Sequence, residues 1–528
     1  MRLANSPGLL AALLGSACAL VCAPAEAQNE PAPPAAPAAQ SPSTAVEPFR
    51  STETPLTLGE CVRRALSRGF DLELQQHDLA IAREDVPIAE SLFDPVLSAD
   101  GAKNRDRTAR DSDLLPGLRS SGVASHIGVD QRLRSGATVT LGSSLNRYES
   151  NQPVTTINGN TLTTLPSNLT YTNGLTLGVT QPLLKGFGAI NAIPIRQAEI
   201  GIDIAEQTYE ERALEVIRQT ETAYYSLTGA RDRLSVLRTS QRLAERLLEE
   251  ARARHDAGMG TKLDLLEAQV GIANARLNVL QAENTVRSDE DQVHRLIGRF
   301  EFDAPLGPTV VEESAPDPLP TVVASYAQAL EHQPGLRSAR SALELSKLQL
   351  ALAKDDLKPA VDIGVTLGIV GDDRGNDRAW SNVFEPERSA WQAGLNLSYP
   401  LRRVGEKARF RQAGRALLRD ELAVHQLEQN TLVAIRDAIR GLETSRESIR
   451  IASLAANYAQ EQYEAERMRY QSGLSTSRRV LEAQEDLEGA RVAEVQAKLG
   501  LRTSLSTLYR LEGSSLTRYG ITLRPDVR

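Results

Sequence analysis

The tetrapeptide Leu266-Glu267-Ala268-Gln269 occurs again as Leu481-Glu482-Ala483-Gln484, and the residues around the two copies match in the same register. The matched pairs are Arg254 with Arg469, Gly258 with Gly473, Arg276 with Arg491 and Gly298 with Gly513. Upstream, Ala65-Leu66 matches Ala329-Leu330, Pro95 matches Pro359, and Pro182-Leu183 matches Pro400-Leu401. Because these matches keep one order along the chain, they predict an internal duplication.

Each predicted repeat has the same order of elements: a helix, a strand region bounded by prolines, a long helix, a glycine turn and a returning helix. The first repeat covers residues 56–300 with its strands within 93–183, and the second covers 325–515 with its strands within 360–401. We interpret residues 301–324 as a linker and residues 516–528 as a C-terminal tail.

The strand regions alternate between apolar and small or polar residues with a period of two. The apolar positions are Leu175, Leu177 and Val179 in the first repeat, and Val361, Ile363, Val365, Leu367, Ile369, Trp391, Ala393, Leu395, Leu397 and Tyr399 in the second. This alternation predicts strands with one apolar and one polar face, which is typical of an outer-membrane β-barrel. An ordinary half-exposed antiparallel sheet gives the same pattern, so a single strand leaves both open.

The first repeat carries a longer insert between its two prolines. Residues 123–133 and 137–145 are two further strand candidates joined across Ser135-Gly136, and the Asn- and Thr-rich residues 150–170 are typical of an exposed loop. Whether the insert, residues 103–173, adds strands to a barrel or folds outside it stays open.

The helical segments are of two lengths. Residues 190–257 and 404–471 each predict a helix about 100 Å long at 1.5 Å per residue. The segments 57–92, 262–297, 325–356 and 476–511 are about half as long. Two short helices placed end to end would therefore run antiparallel to one long helix in each repeat.

The returning helix of the first repeat carries two apolar stripes with coiled-coil spacing. One stripe comprises Leu263, Leu266, Val270, Ala273, Leu277 and Leu280, and the other comprises Leu265, Ala268, Ile272, Ala275, Val279, Ala282 and Val286. At about 100° per residue the two stripes lie on opposite sides of the helix. Such a helix packs on both sides like a stave in a wall, and a middle helix of a layered bundle has the same requirement.

The N-terminal residues are typical of an exported protein. Arg2, an apolar run over residues 9–21 and Ala25-Glu26-Ala27 predict a signal peptide over residues 1–27. Cys18 and Cys22 lack the neighbours of a lipoprotein signal, so simple cleavage is favoured and lipidation stays open. The Pro- and Ala-rich residues 28–55 predict a disordered tether. Cys61 would then be the one cysteine of the mature chain, with its role open.

Composition and motifs argue against several functions. With 41% apolar and 24% charged residues and one apolar run, the chain is not a polytopic helical membrane protein, and a net charge of −8 disfavours nucleic-acid binding. The six histidines form no zinc motif, no nucleophile-elbow motif occurs, and Gly258-Met259-Gly260-Thr261-Lys262 lacks the ending of a phosphate loop. We therefore expect no enzyme activity and no catalytic, cofactor or metal site.

Taken together, these features resemble the TolC-like outer-membrane efflux proteins, a family of Gram-negative bacteria. The motifs that carry the resemblance are Leu56-Thr57-Leu58, Ala65-Leu66, Phe93-Asp94-Pro95, Gln181-Pro182-Leu183-Leu184-Lys185-Gly186-Phe187-Gly188 and the two glycine turns followed by Leu-Glu-Ala-Gln. They span residues 55–515, almost the whole chain after the tether.

The resemblance implies a mixed α/β membrane protein in the cell outer membrane. It implies a homotrimer in which each chain gives four strands to a shared 12-stranded outer-membrane β-barrel, continuous with a periplasmic α-helical barrel. The partners it implies are outer-membrane lipid, a periplasmic adaptor and an inner-membrane transporter of the RND, ABC or MFS class. The adaptor-docking turns would be Gly258, Met259 and Gly260 in the first repeat and Gly473, Leu474 and Ser475 in the second.

The resemblance also implies a gate at the periplasmic tip. Tyr470 matches the family's tyrosine, Asp264 the aspartate it bonds, and Glu482 the last acidic position, with Glu267 nearby. Ser475 stands in place of the family's gating arginine and Arg479 in place of an aspartate. We hypothesise that Arg479 pairs with Asp264; a solvated charged helix face is the alternative interpretation.

The function predicted in this way is an exit duct of a tripartite efflux or type I secretion system. The alternative is a passive outer-membrane porin, or a structural coiled-coil envelope protein, without a pump partner. The cargo and the class of pump stay open.

Overall fold

The computed structural model describes residues 55–108, 118–151, 154–158, 161–165, 168–298, 306–310 and 318–523. The predicted signal peptide, nearly all of the tether and half of the 301–324 linker lie outside these residues.

The elements of the first repeat follow the predicted order. They are β1 (Leu56–Thr57), α1 (Leu58–Arg68), α2 (Phe70–Glu90), β2 (Val96–Thr108), β3 (Leu118–Arg132), β4 (Thr138–Ser150), β5 (Val154–Asn158), β6 (Thr161–Leu165), β7 (Asn168–Pro182), α3 (Ile193–Asp256) and α4 (Lys262–Ile297). Short 3₁₀ turns precede β2 and α3, at Ser91–Phe93 and Gly188–Ala192.

The second repeat has fewer strands. Its elements, with the short strand that precedes it, are β8 (Thr309–Val310), α5 (Val322–His332), α6 (Pro334–Asp355), β9 (Ala360–Asp373), α7 (Asn376–Val383), β10 (Ser389–Ser398), α8 (Val404–Gln471), α9 (Ser477–Glu512) and α10 (Ser515–Arg518). A 3₁₀ turn at Pro386–Arg388 precedes β10. Helices α3 and α8 have 64 and 68 residues, which makes each about 100 Å long.

The first helix of each repeat is broken, where the sequence predicted one continuous helix over 57–92 and over 325–356. Gly69 is extended (φ −68°, ψ 127°), and a Cβ there would lie 2.4 Å from the Ala65 carbonyl oxygen. Gln333 is extended as well because the following Pro334 disfavours helical backbone at the residue before it. The break at Gln333 is therefore a local steric effect of proline, whereas at Gly69 the tight approach to Ala65 leaves room for glycine alone.

Six strands form one antiparallel sheet in the order β10-β9-β7-β4-β3-β2. The four strands per chain that the resemblance implies are thus too few, because the insert contributes β3 and β4 between β2 and β7. Their turn is closed by Gly136 at φ 93°, which donates its N–H to the Leu133 carbonyl at 2.8 Å. The predicted loop at 150–170 contains the separate hairpin β5–β6.

The helices form a layer four helices wide. Near the sheet the packing order is α2-α3-α6-α8, and beyond the middle of the long helices it is α4-α3-α9-α8. Among the described residues no helix combines the length and the apolar character that crossing a bilayer requires.

A small parallel pair, β1 with β8, ties the segment between the two repeats to the start of the first repeat, beside α3. The Tyr224 hydroxyl lies 2.7 Å from the carbonyl oxygens of Leu56 and Val310 and accepts the Val310 N–H at 2.9 Å. Tyr224 is almost fully buried, so this hydroxyl satisfies backbone groups that would otherwise be unpaired.

Candidate functional site at the paired helix turns

The two glycine turns lie at the ends of the long helices and have the same backbone geometry. Gly258 has φ 71° and Gly473 has φ 77°, the left-handed conformation that glycine adopts without steric cost. Met259 donates its N–H to the Arg254 carbonyl at 2.9 Å, and Leu474 donates to the Arg469 carbonyl at 2.8 Å. The duplicated sequence therefore folds into duplicated helix reversals.

Each turn exposes one large apolar side chain. Met259 is 78% exposed and Leu474 is 72% exposed. Gly260 packs its backbone against the end of α3, while the Ser475 hydroxyl donates to the Glu466 carboxylate. The predicted docking residues thus present two apolar tips, side by side on neighbouring turns, with small residues beside them.

Asp264 is held by its own helix and by α9. Its Oδ2 accepts the Thr261 hydroxyl at 2.6 Å and the Thr261 N–H at 3.1 Å, forming a capping box at the start of α4. The buried Ser477 hydroxyl lies 3.0 Å from Asp264 Oδ1 and 2.9 Å from Glu267 Oε2. The bond to the Thr261 side chain is the largest influence that holds the pKa of Asp264 below its usual range; burial opposes it.

Tyr470 is buried, but its partner differs from the one that the resemblance implies. The Arg254 guanidinium lies over the Tyr470 ring, 4.2 Å from the ring centroid, and its Nη2 donates to the Gln471 carbonyl at 2.7 Å. No Tyr470–Asp264 hydrogen bond is present in the described part of the chain, because Asp264 is engaged by Thr261 and Ser477. Burial raises the pKa of the Tyr470 hydroxyl, and the Asp264 charge adds to that effect.

The hypothesis that Arg479 pairs with Asp264 is wrong for the single chain. Arg479 is exposed on α9 and has no ion pair within the described ranges. Its neighbour Arg478 forms the ion pair with Glu482, at 3.0 Å between Nε and Oε1. Arg478 is four residues and Arg479 three residues before Glu482, and both spacings bring side chains together on a helix; the structure pairs Glu482 with Arg478.

Several residues that hold the two turns together were not predicted as site residues. Arg254 joins α3 to α8, Arg467 pairs with Glu250 at 3.1 Å, and Ser477 joins α9 to α4. Arg254 was visible in the sequence only as a repeat match to Arg469. A buried hydrophobic cluster beneath the turns consists of Leu247, Tyr463, Tyr470, Val480, Ala483 and Leu487.

One of the two predicted stripes of α4 has no partner. Ala268, Ile272, Ala275, Val279, Ala282 and Val286 are buried, whereas Leu263, Leu266, Val270, Leu277 and Leu280 are exposed. The exposed set lies at the open side of the helix layer, since α4 is its outermost helix there. The tip is therefore incomplete within one chain.

An antiparallel sheet with one apolar face, joined end-on to a layer of 100 Å helices, defines the class of outer-membrane channels built from strands and helical staves. The chain belongs to the outer membrane efflux protein family: the family model described as "Outer membrane efflux protein" matches residues 61–299 and 325–514. It is thus an outer-membrane efflux channel with the TolC-like fold.

Relatives and solved structures agree with this assignment. The chain is 21% identical over 352 residues to the probable efflux pump outer membrane protein TtgC of Pseudomonas putida, covering 66% of this chain and 70% of that protein. It is 22% identical over 329 residues to the outer membrane protein TolC of Escherichia coli, covering 60% and 66%. The VceC outer membrane protein of Vibrio cholerae superposes with a TM-score of 0.64 at 16% identity, covering 86% of this chain and 96% of that one.

Proposed function

We propose that three copies of this chain close into a continuous duct that carries cargo from a periplasmic adaptor and an inner-membrane transporter of the RND, ABC or MFS class to the outside. One observation carries this proposal. Within the described residues of the single chain, the six-stranded sheet and the helix layer each have two edges that no other element covers. Periplasmic placement of the helices and export by the N-terminal segment 1–27 belong to the same proposal.

The first edge consists of α2 and α4. The exposed apolar side chains on α2 are Leu74, Ile81 and Ile88, seven residues apart, and those on α4 continue the edge toward the turns. A seven-residue repeat keeps an apolar seam on one side of a helix, as coiled-coil partners require. This edge is therefore shaped to receive another helix.

The second edge is the outer side of α8. Its exposed large apolar side chains are Val404, Leu418, Leu422, Val433, Ile451, Leu454, Tyr458 and Met468. The two edges lie on opposite sides of the layer and differ in sequence, so contact between them joins one copy head-to-tail to the next. Head-to-tail contacts generate a closed ring when the rotation from one copy to the next closes after a whole number of copies, and the proposal is that it closes after three.

The two turns are suited to receive the adaptor. Met259 and Leu474 are exposed apolar tips fixed by glycine reversals, and apolar anchors surrounded by polar side chains are typical of protein-binding surfaces. A passive porin has no need for such tips on helices about 100 Å long. The exposed turns thus favour a pump-linked duct over the porin alternative.

Disrupting the α4 edge tests the proposal. The double variant Leu277→Glu with Leu280→Glu places two charges in the proposed seam without removing a buried side chain. We expect size-exclusion chromatography with light scattering to show trimers for the wild type and a shift to monomers for this variant. Gln269→Glu, an exposed position of α4 outside the stripe, is the control and should remain trimeric. A monomeric wild type would overturn the proposal.

A further inference from the structure

We infer that the insert at 103–173 is part of the barrel wall, so that three copies close an eighteen-stranded barrel in which β2 of one copy pairs with β10 of the next. The inference rests on the proposed trimer. Each of the two free edge strands of the sheet, β2 and β10, would be covered by another copy of this chain.

One continuous apolar row crosses all six strands. The paired residues in order are Leu97, Val129, Leu141, Leu177, Leu367 and Trp391. Four of them, Leu97, Leu141, Leu367 and Trp391, are between 49% and 76% exposed in the single chain. Strands β3 and β4 therefore contribute to the same apolar face as β7, β9 and β10, as a lipid-facing wall requires.

The adjacent row on the opposite face is made of small residues. Its members in order are Ser98, Gly128, Gly142, Thr176, Gly368 and Ala390. The His126 ring lies across this part of the face: a Cβ at Gly142 would be 2.7 Å from His126 Nε2, and one at Gly128 would be 2.8 Å from His126 Cε1. The insert thus has a small, polar inner face as well as an apolar outer face.

Strand direction allows the ring to close. Strand β2 leads away from α2 and β10 leads into α8, and the six strands alternate in direction between them. Within the described residues, β2 pairs only with β3 and β10 only with β9. Placing β2 of one copy beside β10 of the next is therefore antiparallel, and their 13 and 10 residues give similar lengths. Unpaired strand edges are the usual template for pairing with another chain.

The perimeter of such a barrel fits the helical duct. At about 4.8 Å between strands and a tilt of about 40°, eighteen strands have a perimeter of about 110 Å and twelve about 75 Å. Four helices per copy give twelve around the duct, and at about 9 Å between axes their perimeter is also about 110 Å. A barrel of eighteen strands at ordinary tilt therefore has about the same perimeter as the ring of twelve helices that it joins.

Spin labels on β4 test the inference, with β7 as the internal control. Single variants Thr140→Cys and Leu141→Cys on β4, and Thr176→Cys and Leu177→Cys on β7, are labelled with a nitroxide in vesicles. Cys61, the one cysteine of the described residues, is buried, and burial raises its pKa to about 12, so it stays unlabelled. Collision accessibility to oxygen reports lipid exposure, and accessibility to a water-soluble nickel chelate reports the lumen.

We expect Leu141→Cys and Leu177→Cys to favour oxygen and Thr140→Cys and Thr176→Cys to favour nickel. Alternation on β7 without alternation on β4 would overturn the eighteen-stranded barrel and leave the proposed function standing. Loss of alternation on β7 would overturn both. Cross-sections of the trimer by electron cryomicroscopy give a second readout: eighteen strands support the inference, and twelve with an external hairpin contradict it.

Discussion

The Arg254 guanidinium lies 4.2 Å above the ring centroid of Tyr470 and donates a hydrogen bond to the Gln471 carbonyl at 2.7 Å. These residues belong to different repeats, so the contact ties the end of α3 to the end of α8. Because this contact joins the two repeats beside the turns, we propose that Arg254 helps to hold the tip closed.

Removing this cation should loosen the tip. A cation–π contact contributes about 0.5–2 kcal/mol, and a hydrogen bond to a charged group about 1.5–3 kcal/mol. We expect Arg254→Ala channels in planar bilayers to open more often than the wild type. Arg252→Ala, an exposed arginine on the same turn of α3, is the control and should gate normally. Equal open probability for Arg254→Ala and wild type would contradict a gating role.

The Asp264 cap makes the tip sensitive to acid. Thr261 and Ser477 hold the pKa of Asp264 below its ordinary value of about 3.9, so its stabilisation is complete above that value and is lost as the pH falls through the lowered pKa. We expect conductance to rise in this acidic window for the wild type. In Asp264→Asn the rise should be absent. A rise that persists unchanged in the variant would place the acid sensitivity at another group.

The exposed Arg479 should affect ion selectivity more than stability. It has no ion pair in the part of the chain that the structure describes, and it lies near Glu482 on α9. Replacing Arg479 with Glu should therefore leave the thermal midpoint unchanged and shift the reversal potential toward cation preference. Arg478→Ala, which removes the exposed ion pair with Glu482, is the comparison. An unchanged reversal potential for Arg479→Glu would remove this residue from the pore mouth.

The C-terminal segment is fixed by a buried carboxylate. Tyr519 donates its hydroxyl to Glu221 Oε1 at 2.6 Å, and Ser506 donates to Oε2 of the same Glu221, which is 2% exposed. Tyr519→Phe removes one of these hydrogen bonds from a buried charge, which should cost about 1–3 kcal/mol. Thermal unfolding in detergent should show a lower midpoint. Tyr148→Phe, whose ring is exposed on β4, should leave the midpoint close to that of the wild type.

The apolar turns give a prediction for the adaptor. Met259→Asp and Leu474→Asp place charges on the two exposed tips without altering the glycine reversals. We expect either variant to fold and form trimers but to retain less of the bacterium's periplasmic adaptor during co-purification. Gln269→Glu, further along α4, is the control. Full retention of the adaptor by both variants would place the docking surface elsewhere.

The features that could be predicted from the sequence are those that a local pattern of residues determines. The ends of α3, α8 and α9 follow from Gly258, Gly473 and Gly513, because a helix must end where the chain takes a left-handed φ. The stripe containing Ala268 and Ile272 is buried as its spacing indicates. The two breaks at Gly69 and Gln333 were missed because both flanking segments are helical.

The sequence could not predict what depends on distant partners. The second half of strand β2 contains Lys103, Asn104, Arg105 and Asp106, which show no alternation, and only its pairing with β3 places it in the sheet. Arg254 and Tyr470, and likewise Ser477 and Asp264, are more than 200 positions apart, so no local pattern links them. The partner of a side chain at the tip is fixed by packing between the repeats.

The free edges of one chain should be closed by two further copies. Native mass spectrometry of the purified wild-type protein, released from detergent micelles, measures this directly. We expect a single dominant species of three chains. A dominant single chain, at concentrations where the protein is folded and inserted in micelles, would contradict it.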